Sequence, residues 1–69
     1  MGNDQWIGVY STVYAHQAEI AVQVLKDNGI VAVIINKRDS SYTTFGEIEV
    51  HVKQNDVIRA KQYLKNLEA

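Results

Sequence analysis

Apolar positions along the chain follow first a strand, then a helical, then an uninterrupted pattern, and each change of pattern marks an element. "WIGVY", Trp6 to Tyr10, is aromatic and β-branched. It predicts a short first strand with Ile7 and Val9 on one face and Trp6, Gly8 and Tyr10 on the other. Ser11 and Thr12 then offer hydroxyls suited to capping a helix. Val13, Tyr14, Ala18, Ile20, Ala21, Val24 and Leu25 follow at helical spacing and are expected on one face. The helix should stop at "DNGI", where Asn28 or Gly29 takes the left-handed conformation and Ile30 makes the apolar contact that accompanies such caps.

"IVAVIIN", Ile30 to Asn36, has no polar alternate position until its end. It reads as a strand covered on both sides, or by helices on one side and a partner on the other. A polar stretch follows, and "GEIEVHV" then alternates strictly, with Ile48, Val50 and Val52 toward a core and Glu47, Glu49, His51 and Lys53 toward water. Asn55 or Asp56 is suited to cap a last helix whose Val57, Ile58, Ala60, Tyr63, Leu64 and Leu67 form an apolar stripe, with Arg59, Lys61 and Lys65 pointing away.

The resulting order, β-α-β-β-α, predicts an α+β fold. A split βαβ unit places the third strand antiparallel between the first two, in sheet order 1-3-2, with both helices on one face. This is a ferredoxin-like βαββα sandwich without a fourth strand, one domain over residues 1–69. "WIGVY" is then a sheet edge with no lysine or proline to blunt it, and such edges tend to be paired or covered. A homodimer is expected on that ground.

Composition narrows the function more than it names one. Seven basic and eight acidic residues nearly cancel, with no Lys/Arg stripe, so the electrostatic footprint of a nucleic-acid binder is missing. The absence of cysteine removes disulfides and thiolate zinc sites and favours a reducing, cytoplasmic setting. The longest apolar run, Ile30 to Ile35, is too short to span a bilayer, and Met1 to Gln5 lacks the layout of a signal peptide. A soluble protein with no membrane partner is expected.

The strings "VYST" (Val9 to Thr12), "LKDNGIVAVIINKRDSSY" (Leu25 to Tyr42) and "FGEIEVHV" (Phe45 to Val52) resemble a family of small bacterial domains of undetermined function, described as prokaryotic signal-transducing proteins. The resemblance runs from about Trp6 to Leu67, and the family is grouped with the PII-like (GlnB-type) ferredoxin-like fold. It implies a signalling module whose connection between the second and third strands is a recognition loop. In PII proteins that loop is long, carries a modifiable tyrosine and helps bind ATP and 2-oxoglutarate. Tyr42 stands in the corresponding place, but the connector from Lys37 to Phe45 is far shorter and no nucleotide-binding motif is present, so ATP binding is not implied.

Two surfaces emerge as candidate sites. One is the loop, where Lys37, Arg38, Asp39, Ser40, Ser41, Tyr42 and Phe45, with Thr43 and Thr44, combine cations, hydroxyls and aromatics able to hold a small anion or an acidic partner. Its plain alternative is local turns made by Asp39 and Ser40 with their own backbone. The other is the open face of the sheet, with Trp6, Gly8, Tyr10, Glu49 and His51, a mix of aromatic and charge typical of association surfaces or a ligand site. Gly8 offers close approach to a partner backbone, or else marks a bulge.

His16 and His51 have no neighbouring ligands, so no metal is expected, and His51 beside Glu49 reads as a surface pair. No nucleophile elbow, phosphate loop or cofactor motif appears, which argues against an enzyme. The reading is therefore a non-catalytic binding or signal-transducing module, acting through protein contacts or by sensing a small metabolite. Its alternative is a structural accessory or dimerisation domain without a small-molecule ligand.

Overall fold

The computed structural model describes residues 5–36 and 48–68. Strand β1 (Trp6–Thr12), helix α1 (Ala15–Asp27), strand β2 (Ala32–Asn36), strand β3 (Ile48–Lys53), a 3₁₀ turn (Gln54–Asp56) and helix α2 (Val57–Glu68) follow in chain order. The sheet is ordered β1-β3-β2, with β3 antiparallel to both neighbours. This is the split arrangement that the pattern predicts.

The alternation of β3 decides where the core lies. Ile48, Val50 and Val52 are at most 2% exposed and meet Ala18, Ala21, Leu25 and Ile30 from one side of the chain and Ala60 and Leu64 from α2. Three of these helix residues are alanines, which let the two helices settle close to the strands while Leu25 and Leu64 fill the remaining volume. α1 packs on all three strands, whereas α2 rests mainly on β1 and β3, so the helix-side face of β2 is covered chiefly by α1.

The exit from α1 is a complete Schellman motif. Ile30 N–H donates to the Leu25 carbonyl at 2.9 Å and Gly29 N–H to the Lys26 carbonyl at 3.0 Å, with Gly29 at φ +78°. Ile30, 1% exposed, then joins Leu25 in the core. It is therefore the closing contact of the helix, and β2 begins two residues later than the apolar run suggests.

Other expectations need correction. The N-cap of α1 is Tyr14, and the Thr12 hydroxyl instead accepts the Tyr14 N–H at 3.1 Å, one step ahead of the helix. Ile20 and Ile58 are exposed by 44% and 75% and do not belong to the core faces assigned to them. Each lies two positions from a fully buried alanine, Ala18 and Ala60, which at roughly 100° per residue puts it on the opposite side of its helix. Val33 and Ile34, on opposite faces of β2, are both exposed, so the described residues do not cover the strand on both sides.

Two substitutions test this core. Leu25→Ala should cost about 2–5 kcal/mol, comparable to the roughly 3–5 kcal/mol a domain of this size retains, and urea titration followed by circular dichroism should find it largely unfolded. Gly29→Ala places a side chain in the left-handed region and should lower stability by about 1–2 kcal/mol; an unchanged urea midpoint would contradict the cap.

Candidate functional site

Ile48, Val50 and Val52 point into the core, so Glu49, His51 and Lys53 define the opposite, open face of the sheet. Register identifies their neighbours. On β1, Trp6 pairs with Lys53, Gly8 with His51 and Ser11 with Glu49, while on β2 Val33 pairs with His51 and Ile35 with Glu49.

Between Gly8 and Tyr10 the register of β1 shifts by one residue, leaving Val9 without a partner on β3. Such a bulge turns the following residues over relative to the preceding ones. Tyr10 consequently stands across from Val50 and packs against the core, not on the open face beside Trp6 and Gly8, where simple alternation puts it. Ser11 takes that place on the open side. The open face thus has Trp6, Gly8, Glu49 and His51 as expected, and Ser11 in place of Tyr10.

The centre of this face is a half-buried His51–Glu49 pair. His51 Nε2 lies 2.8 Å from Glu49 Oε1, and the two side chains are 16% and 27% exposed. The imidazole leans over Gly8, where a Cβ would sit 3.2 Å from Nε2. The space left by the missing side chain is therefore filled by the chain's own histidine, so the bare backbone of Gly8 serves an internal contact. At one end of the face, Lys53 Nζ lies 5.8 Å from the Trp6 ring centroid, within range of a cation–π contact. Toward the other edge, Val33 and half-buried Ile35 make the surface aliphatic.

The bulge also shapes a cleft of about 380 Å³ along β1, lined by Gly8, Val9, Tyr10, Ser11, Glu49 and Lys61. Lys61 is on the wet side of α2 but reaches over this edge. Ser11 and Lys61 are site residues that sequence patterning does not find, because their placement depends on the register shift and on how α2 crosses β1. The chemistry available is one ammonium, one carboxylate, one hydroxyl and the main chain of an edge strand. A second cleft, of about 320 Å³, is lined by Lys26, Gly29, Ile30, Val31 and Ala32 where α1 hands over to β2.

The loop candidates Lys37, Arg38, Asp39, Ser40, Ser41, Tyr42 and Phe45 lie outside the described residues. His16 is exposed on α1, 5.9 Å from Tyr14 between ring centroids, and is separate from the open-face pair. Among the described residues there is no group of three or more His, Cys, Asp or Glu able to hold a metal ion, and no helix is long and apolar enough to cross a membrane.

No curated protein and no solved structure matches the chain. A family model does, over residues 6–68, which take in the whole of the described sheet and both helices, and its description is "Putative prokaryotic signal transducing protein". With that match across almost its full length, the chain belongs to the family that carries this description.

Proposed function

We propose that the chain is a non-catalytic binding module of signal transduction, working as a homodimer and recognising a small metabolite or a partner protein on the open side of its sheet. The observation that carries this reading is the make-up of that side. Trp6, Val33 and Ile35 give it apolar area, while the His51–Glu49 pair and the Trp6–Lys53 contact hold polar groups in fixed positions. A face with apolar area and ordered charge suits binding better than plain solvation. The adjoining cleft adds Lys61 and the Ser11 hydroxyl, which suit a ligand carrying a carboxylate.

Its PII-like character and a cytoplasmic setting remain part of the proposal, supported by the βαββα order and by the absence of cysteine. A dimerisation domain without a ligand is the second reading. The exposed apolar residues of β2 favour it.

A thermal-shift series with nucleotides, amino acids and dicarboxylic acids separates the two readings. Under the ligand-binding reading, at least one dicarboxylate or amino acid raises the unfolding midpoint progressively with concentration, and Lys61→Ala reduces that rise. A flat response to every compound would leave only the dimerisation reading.

Gly8→Val tests the central pair separately. Its branched side chain should displace the imidazole and break the 2.8 Å contact with Glu49, while strand propensity keeps the stability change within about 1 kcal/mol. The change is read from the His51 ring signals in nuclear magnetic resonance spectra. Unaltered signals would mean that Gly8 does not set the position of His51.

A further inference from the structure

We infer that the outer edge of β2 is the site where a second copy of this chain adds, strand to strand, to form one continuous sheet. The inference rests on the homodimer reading above, but moves its surface from the β1 edge, where the sequence places it, to β2, because the bulge interrupts β1. β2 is an outer strand of the sheet, and its exposed apolar residues have an unusual distribution. Val33 shares the open face with His51 and is 38% exposed, whereas Ile34 is across from Val50 on the helix side and is 43% exposed. Val31, just before the strand, is 62% exposed. Covering either face alone would leave the other in water. Only an element lying beside the strand meets both.

The two edges of the sheet differ in how they receive such an element. β1 carries the bulge at Val9, a device that interrupts regular pairing, and Lys61 overhangs it. β2 pairs with β3 in unbroken register from Ala32 to Asn36 and contains no charge, glycine or proline. Among the described residues its outer side therefore offers a regular, unblunted template.

Self-pairing suits this edge for two reasons. Val31 to Asn36 carries no charged residue, so two copies meet without like charges opposed. A two-fold axis normal to the sheet runs the two β2 strands antiparallel and keeps open face with open face. Val33 then meets Val33 or Ile35 of the second copy, and Ile34 meets an aliphatic residue on the helix side. The result is a six-stranded sheet, three strands from each copy. The paired edge is short, about 17 Å for a five-residue strand, so the interface belongs to the small class and assembly is expected at micromolar concentration.

Sedimentation velocity across roughly 1–500 µM protein tests the assembly. The unmodified chain should pass from monomer to dimer, and Val33→Lys or Ile34→Lys should shift the midpoint at least about tenfold upward, with circular dichroism unchanged because both positions are already exposed. Cysteine scanning gives a second readout, since the chain has no cysteine of its own. Val33→Cys, Ile34→Cys or Ile35→Cys should yield a disulfide-linked dimer on mild oxidation, because facing residues of antiparallel strands lie within bridging distance. Ser11→Cys on β1 should not. A monomer at every concentration would overturn both the homodimer reading and this inference. A dimer unaffected by both lysine variants, or cross-linked only through Ser11→Cys, would overturn the β2 edge and leave the homodimer reading standing.

Discussion

Burial of Ile48, Val50 and Val52 is the constraint on which the rest of the structure depends. Among the described residues β3 is the only strand with neighbours on both sides, so its side-chain parity is imposed on β1 and β2 through their registers. A slip of one residue would turn all three aliphatic side chains into water and bring Glu49 and His51 under the helices. With parity fixed, Leu25 and Leu64 have defined places to fill, and Ala18, Ala21 and Ala60 bring the helices within reach of them. The open face is the complement of the same arrangement. Glu49, His51 and Lys53 are collected there because their alternates are needed in the core.

The bulge is the one place where this transfer of parity is broken, and the candidate site lies at the break. Upstream of Val9, β1 sends Trp6 and Gly8 to the open face; downstream it sends Ser11 there and turns Tyr10 inward. The extra residue lets one short strand give an aromatic side chain to each side of the sheet, Trp6 outward and Tyr10 toward the core. The cleft that Lys61 helps to line runs along the same bulged stretch. Gly8 adds a second effect, because its missing side chain leaves room for the Nε2 side of the His51 ring, which lies within reach of Glu49.

Element order, sheet order and core strand were legible in the sequence because each rests on local signals that no tertiary contact overrides. The alternation of "EIEVHVK" specifies β3, and "DNGI" specifies a Schellman exit down to the Ile30 contact. Val13 and Tyr14, which composition adds to the same stripe, precede α1 and are exposed, while Ile20 and Ile58 fail on the angle of the stripe. Ile20 and Ile58 were counted with their helices' apolar faces although each stands two positions from a buried alanine. The position of Tyr10 was not legible, since a bulge at Val9 and a regular strand are both compatible with "WIGVY", and only pairing with β3 distinguishes them. The place of Ser11 follows from the same bulge, and that of Lys61 from the way α2 crosses β1.

The two edges of the sheet suit different uses. An element that pairs with β2 extends the sheet sideways and hides the outer flanks of Val33 and Ile34, but it does not lie over the row formed by Trp6, Gly8, His51 and Glu49. Assembly at that edge is therefore compatible with recognition at the open face. A two-fold axis normal to the sheet would also place both open faces on the same side of a shared surface, with the bulged β1 strands and their clefts at its far ends. The bulge acquires a second physical sense in that arrangement. Under the proposed pairing, an interrupted β1 edge would limit growth of the sheet to one side, and assembly would close at two copies.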